Sequence, residues 1–297
     1  MEIKIKDKRL SENEMTRIID RAFDLAERLE MKLSVYEEGS EINRLNMRKN
    51  LDTSEDLFNV LKAASRAGIL TDGEFDITVS PVLKRDGFYK DIPDRILGNI
   101  PDSTQGIGWQ NISFAGNRRI AISDNTWLDL SGIAKGYIVD RIARFIRAEG
   151  ASIFLVNAGG DIFCGDKEER SAGWLVGIRE PDGDSILKVL ALRNMAIATS
   201  GDYENIHIDA LKGEILSHII SPSEGEPLIE KPSSVTVLAP TCAEADALAT
   251  GMMAMGEDKA LALADRIRNI NIITSRKISN KSIIRYSAGA EYFVLED

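Results

Sequence analysis

The sequence predicts an α+β fold on three observations. Helical and strand periodicities come in runs rather than in regular βα alternation, which disfavours a doubly wound parallel sheet. Across 297 residues there is no fixed-period repeat, low-complexity tract or linker, so the expectation is one compact unit, 1–297, with interwoven subdomains. At 43% hydrophobic and 28% charged residues the chain has enough apolar material for a large core and is too apolar for a disordered segment.

Charge and cysteine content exclude several function classes. Lys+Arg 37 against Asp+Glu 47 gives a formal net charge of -10, which speaks against nucleic acid as a partner, so any phosphate must be held by local geometry. Cys164 and Cys242 match no zinc spacing and read as small apolar fillers. The first eight residues alternate apolar and charged side chains without a continuous apolar run, so neither a signal peptide nor a membrane segment is expected there. For the chain as written that implies the cytoplasm, and an extracytoplasmic site if a leader has been removed.

Taken in order, Ser11 and Glu14 form a capping box ahead of Met15, Ile18, Ile19, Ala22, Phe23, Ala26 and Leu29, which recur at helical spacing. A loop with Tyr36 and the Ser40-Glu41 pair precedes a short helix. Tyr36 has the shape to stack on a planar ligand, although a loop tyrosine more often packs. A second long helix is expected over about 54–67, ended by Gly68. In 75–79 Asp76 and Thr78 alternate with Phe75, Ile77 and Val79, the pattern of a strand. Residues 86–103 carry prolines, glycines and charges without a period and read as a surface excursion. From Trp109 to Leu130 short strands are expected around a polar turn at 115–117.

The stretch 128–140, Leu-Asp-Leu-Ser-Gly-Ile-Ala-Lys-Gly-Tyr-Ile-Val-Asp, then turns from a strand pattern into a helix that ends at Gly150. Gly132 and Gly136 would let backbone approach a ligand, the first-turn N–H groups lack partners, and Lys135 adds a positive charge. Read locally, an ordinary strand-to-helix turn with a solvated lysine is the commoner case, since the full P-loop spacing is lacking. A buried strand over 152–156 stops at the glycine pair Gly159-Gly160, and further strands are expected over 174–178, 187–192, 195–199 and 233–238. Thr241 opens a helix on which Asp246 and Thr250 project from one face, either as half of a magnesium-type oxygen site or as a plain helix surface. Of the 2 His, His218 lies where a strand meets a turn-rich loop and is the better proton acceptor, whereas His207 alternates with isoleucines on a strand.

Seven blocks, in order along nearly the whole chain, resemble the ApbE family of FAD:protein FMN transferases. They are Ser-Val-Tyr-Glu-Glu-Gly-Ser-Glu-Ile-Asn-Arg-Leu-Asn (34–46), Gly-Glu-Phe-Asp-Ile-Thr-Val-Ser-Pro (73–81), Asp-Leu-Ser-Gly-Ile-Ala-Lys-Gly-Tyr-Ile-Val-Asp (129–140), Val-Asn-Ala-Gly-Gly-Asp-Ile (156–162), Ala-Thr-Ser-Gly-Asp-Tyr (198–203), His-Ile-Ile-Ser-Pro (218–222) and Ala-Asp-Ala-Leu-Ala-Thr (245–250). The resemblance implies mixed, largely antiparallel sheets packed with helices, in a tunnelling-fold-like architecture. It also implies a magnesium-dependent enzyme that takes FAD as substrate, attaches its FMN half to a threonine or serine hydroxyl of an acceptor flavoprotein, and releases AMP. The metal would be held by Asp246, Thr250 and the carbonyl of Ala134, with Tyr36 beside the flavin ring. Lys135, Asn157, Gly159, Gly160, Thr199 and Ser200 would line the FAD cleft, Glu41 and Asp76 would belong to the same site, and His218, Lys135 and Asp246 would carry the chemistry.

The chain departs from the family pattern at two places. Only a few residues stand where a Met-Gly-Thr strand usually precedes the first helix, and Ser221 replaces the usual Asp before the proline of the histidine motif. These bear on the flavin wall and on acceptor recognition or transfer rate. The competing readings are an FAD diphosphatase that passes FMN to water and a flavin-binding protein without chemistry.

Overall fold

The computed structural model describes residues 1–166, 172–181, 185–201, 207–208, 215–216, 220–221, 226–227, 232–278 and 281–295. Side chains are described throughout these ranges except in the four two-residue pieces and at position 278. Strand β1 (Glu2–Ile5) leads into helix α1 (Glu12–Leu33). The expected capping box is complete: Ser11 Oγ accepts from Glu14 N at 3.3 Å and Glu14 Oε2 accepts from Ser11 N at 2.8 Å. Ile18, Ala22, Leu29 and Leu33 are the buried stripe of α1, whereas Phe23 is exposed. There follow α2 (Glu41–Arg48), β2 (Asn50–Asp52), α3 (Glu55–Leu70), α4 (Ser80–Arg85), α5 (Asp94–Leu97), β3 (Ile112–Ala115) and β4 (Arg119–Ile122).

This helical half departs from the sequence reading at four points, each for a local reason. Helix α3 runs past Gly68 to Leu70, because that glycine makes room rather than an end: a Cβ there would press on the Trp109 ring at 3.0 Å and the Phe75 carbonyl at 3.1 Å. Residues 75–79 form turns, not a strand, because the Asp76 side chain bonds its own backbone. Residues 86–103 are not a surface excursion either: Tyr89, Ile92, Ile96 and Ile100 are buried in the core formed by α2, α3, β3 and β4. After β4 the expected strand to Leu130 does not form, and the Asn46 side chain stands in for a partner strand, donating to Leu128 O at 2.9 Å and accepting from Leu128 N at 2.8 Å.

The second half contains α6 (Ala134–Ala148), β5 (Ile153–Ala158), β6 (Asp161–Asp166), β7 (Trp174–Arg179), β8 (Ile186–Leu192) and β9 (Met195–Gly201). The short pieces β10 (His207–Ile208), β11 (Ile215–Leu216), β12 (Ile220–Ser221) and β13 (Glu226–Pro227) precede β14 (Ser234–Ala239), α7 (Cys242–Met255), α8 (Glu257–Ala264), β15 (Asn271–Ile278) and β16 (Lys281–Tyr286). Seven strands form one sheet in the order β1-β5-β6-β9-β14-β15-β16, antiparallel at every pairing. Alternation sends Phe154, Val156, Phe163, Ala196, Ala198, Val235 and Val237 to one face, against α6 and α7. Leu155, Cys164, Ile197 and Leu238 point to the other, against the β7–β8 hairpin. Covered on both faces, these strands read as continuous apolar runs. The α+β expectation holds.

Helix α7 is the element the two halves share. Ala243 and Ala247 pack into the core of α2 and α3, and Ala245, Leu248, Ala249, Met252 and Met253 into the core under the sheet. Small side chains on one flank let α3 and the 71–75 turn come close: a Cβ on Gly251 would meet Thr71 at 2.8 Å and Phe75 at 2.9 Å. Among the described residues no helix is long and apolar enough to cross a membrane.

Candidate functional site

The N-termini of α6 and α7 meet, and each helix caps the other. Asp140 of α6 accepts from Cys242 N at 2.7 Å and Ala243 N at 2.9 Å, and Asp246 of α7 accepts from Gly136 N at 3.1 Å. Helix α6 has no side-chain cap of its own and α7 has Thr241 Oγ1 for Glu244 N alone, so a carboxylate from across the interface satisfies further orphan N–H groups and faces the positive end of the partner helix's dipole. Gly136 makes this possible, because any Cβ there would run into the Cys242 carbonyl. Gly132 likewise gives way to the Phe75 ring at 3.2 Å and to Thr250 Oγ1 at 3.6 Å. Both glycines therefore serve helix and loop packing, not the ligand approach read from the sequence. Burial is the first cause pushing the Asp140 carboxyl up to about 6, against the pull of its two backbone donors and of Arg144.

Asp161 joins this junction from the sheet. It follows the β5–β6 turn, where Gly159 (φ +61) and Gly160 (φ +98) adopt left-handed backbone that favours glycine and Asn157 Oδ1 accepts from Gly160 N at 3.0 Å. That tight turn sets β6 in register and points the Asp161 side chain inward, where it is 2% exposed. It stands within hydrogen-bonding reach of Asp246, and Lys135 Nζ lies 3.4 Å from Asp161 Oδ2. Burial first, then the charge of Asp246, holds the Asp161 carboxyl well above the usual range despite Lys135. Burial also raises Asp246, against Lys135 and Gly136 N. Two buried carboxylates thus lie beside one partly exposed ammonium.

One turn along α7, Thr250 Oγ1 lies 3.3 Å from Ser200 Oγ, and Thr199 Oγ1 lies 2.9 Å from Thr236 Oγ1 on the neighbouring strand. At Ala134 and Lys135 opens a cavity of about 430 Å³, also lined by Tyr36, Ser131, Ala158 and Gly159 among others, a volume within the usual range for small-molecule sites. Tyr36 is 42% exposed and presents its ring from the loop after α1. Met1, just ahead of β1, also lines the cavity.

The structure thus brings together Ala134, Lys135, Asn157, Gly159, Gly160, Ser200, Asp246 and Thr250, with Tyr36 across the cavity and Thr199 beside Ser200. Glu41 and Asp76 are both held by neighbouring backbone and hydroxyl groups. Glu41 accepts from Ser54 N at 2.6 Å and Ser54 Oγ at 2.5 Å, fixing the start of α3. Asp76 accepts from Thr78 N at 2.8 Å, Thr78 Oγ1 at 2.6 Å and Trp109 N at 2.8 Å. His218 lies outside the described residues, and β12 places Ser221 in a two-residue strand against Glu226. Sequence reasoning left two residues without roles, Asp140 and Asp161. The available signal for Asp161 was an acid in the inward register of Phe163 on an otherwise apolar strand.

Residues 1–274 match the ApbE family. The FAD:protein FMN transferase of Vibrio cholerae is 32% identical over 271 residues, spanning 88% of this chain and 78% of that protein. That of Haemophilus influenzae is 34% identical over 252 residues, spanning 79% and 71%. Among solved structures, the flavin transferase ApbE from Vibrio cholerae covers 98% of this chain and 94% of its own with a TM-score of 0.80 at 28% identity. The ApbE protein from Thermotoga maritima covers 99% and 96% with a TM-score of 0.83 at 28% identity. Sequence and fold together make the protein an enzyme, a transferase of the kind these relatives represent. The chain belongs to the ApbE family.

Proposed function

We propose that this enzyme moves the FMN half of FAD onto a threonine or serine hydroxyl of an acceptor flavoprotein, with magnesium as the cofactor. The hydroxyl oxygen attacks the phosphorus of the FMN half, a phosphoester forms, the bridging P–O bond breaks and AMP leaves with the electron pair. The observation that carries this reading is the convergence of Lys135, Asp161 and Asp246 beside a cavity faced by Tyr36. Lys135 suits a diphosphate as a point charge at a helix start, and the Tyr36 ring suits an isoalloxazine face.

The residues fit a hard divalent cation. The donor set of Asp246, Thr250 and the Ala134 carbonyl is all oxygen, the chemistry magnesium prefers. Magnesium takes few protein ligands and completes its shell with water and substrate phosphate. Bound there, the ion would supply charge neutralisation on the phosphoryl oxygens. His218 is the proposed base that takes the hydroxyl proton, a contribution of roughly two to four orders of magnitude.

Incubation with FAD, Mg2+ and a threonine-containing acceptor peptide tests the proposal. The expected result is an FMN adduct by mass spectrometry with one AMP per adduct by chromatography, and AMP without adduct would refute transfer. His218→Ala should bind FAD nearly as wild type while single-turnover transfer falls, and the wild-type rate should climb with pH as the imidazole becomes neutral. Weakened FAD binding with an unchanged pH profile would make the histidine a diphosphate contact instead.

A further inference from the structure

Asp161 Oδ2 is the feature of the cleft that the reading above leaves unexplained. It is buried and makes no hydrogen bond among the described residues. A carboxylate oxygen in that state costs several kcal/mol unless something neutralises it. Lys135 is the nearest cation, at 3.4 Å, yet its side chain is 43% exposed while that of Asp161 is 3% exposed, so it approaches from the solvent edge. Lys135 and Asp246 are its nearest charged neighbours, and neither gives Oδ2 a hydrogen bond. A divalent cation is a species that would fill the place left at that oxygen.

We infer that Asp161 is a second carboxylate ligand of the divalent cation held at Asp246 and Thr250, with Oδ2 as the donor atom. Three elements then converge on one ion: β6 through Asp161, α7 through Asp246 and Thr250, and the start of α6 through Ala134. Two carboxylates, a hydroxyl and a carbonyl leave room for water and one phosphate oxygen in an octahedral shell. The Gly159-Gly160 turn gains a role in this arrangement, since its geometry sets the register that delivers Asp161 to the ion.

This inference rests on the cation site proposed above, and the test separates the two. Mn2+ alone, without FAD, is titrated into the purified full chain by calorimetry and by electron paramagnetic resonance of the free ion. Wild type should bind, Asp246→Asn should weaken binding, and Asp161→Asn should raise the Kd tenfold or more. Metal-free melting of Asp161→Asn should lie at or above wild type because Oδ2 has no hydrogen bond to lose, which distinguishes loss of a ligand from loss of fold. Asp161→Cys provides an independent readout: a thiolate ligand should shift the preference for Cd2+ over Mg2+ at least tenfold relative to wild type. Wild-type Mn2+ affinity in Asp161→Asn, together with an unshifted preference in Asp161→Cys, would overturn the role of Asp161 while leaving the cation site in place. No Mn2+ binding by wild type, or no effect of Asp246→Asn, would overturn the cation site and this inference with it.

Discussion

Glu41 and Asp76 in the helical half, and Asp161 and Asp246 at the α6–α7 junction, are all acids with less than a tenth of their surface exposed; what surrounds them differs. Around Glu41 stand the backbone and hydroxyl of Ser54, and around Asp76 the backbones of Thr78 and Trp109 with the Thr78 hydroxyl. Those carboxylates are saturated by the protein and hold turns and helix starts in place. At the junction Asp246 receives one backbone donor, Asp161 Oδ2 receives none, and both lie against each other and Lys135. Burial alone therefore does not mark a working acid. The distinguishing property is burial with coordination left unfilled, because such a group gains from a ligand what a saturated one has already gained from its neighbours.

The comparison breaks most readily at Asp246. Asp246→Ala should cut Mg2+-dependent AMP release from FAD by about a hundredfold or more, with Asp246→Asn nearly as severe, and near-normal release would move the metal elsewhere. Next in size is the opposite behaviour in the helical half. Glu41→Ala should lower stability by about 2–3 kcal/mol in urea denaturation, since Ser54 loses both its acceptors, while FAD affinity changes little. A Glu41 variant of full stability that no longer binds FAD would erase the distinction drawn above.

Asp140 sharpens the comparison through pH. Its carboxyl is raised to about 6, above the ordinary aspartate range, so below about 6 the folded chain binds more protons than the unfolded one, and stability falls as pH rises through that window. Acidification from pH 7 to 4 should therefore favour wild type relative to Asp140→Asn in thermal melting, and a constant difference would show that Asp140 titrates normally. The smallest effect belongs to Lys135. Lys135→Ala should weaken FAD binding about tenfold, or roughly 1.4 kcal/mol, in flavin fluorescence titrations. Because that side chain is 43% exposed, the difference from wild type should narrow as salt is raised.

What the sequence made legible follows the same physics. The capping box of α1 and the Thr241 opening of α7 were readable because a cap is a contact within three residues. The sheet strands were readable because both faces are covered and the apolar runs unbroken. Residues 75–79 misled because an acid bonding its own turn produces the same alternation as a strand. The 86–103 segment misled because Gly87, Pro93, Gly98 and Pro101 interrupt the helix-like spacing of its buried Tyr89, Ile92, Ile96 and Ile100. Gly136 pointed to the right turn for the wrong reason, since its partner, the Cys242 carbonyl, is more than a hundred residues away. Asp161 was quoted only as part of a block, because its meaning depends on Asp246, a residue brought near by folding alone.

Helix α7 has cores on both flanks and a carboxylate at each end of its first turn, which makes it a poor substrate for change. A larger side chain at Ala243 or Ala247 intrudes on one core, and at Ala245 or Ala249 on the other. The cavity is lined instead by Tyr36 and Gly159, among others, which stand on a loop and a turn outside that helix. Substitutions meant to alter what the cavity takes therefore belong there rather than on α7.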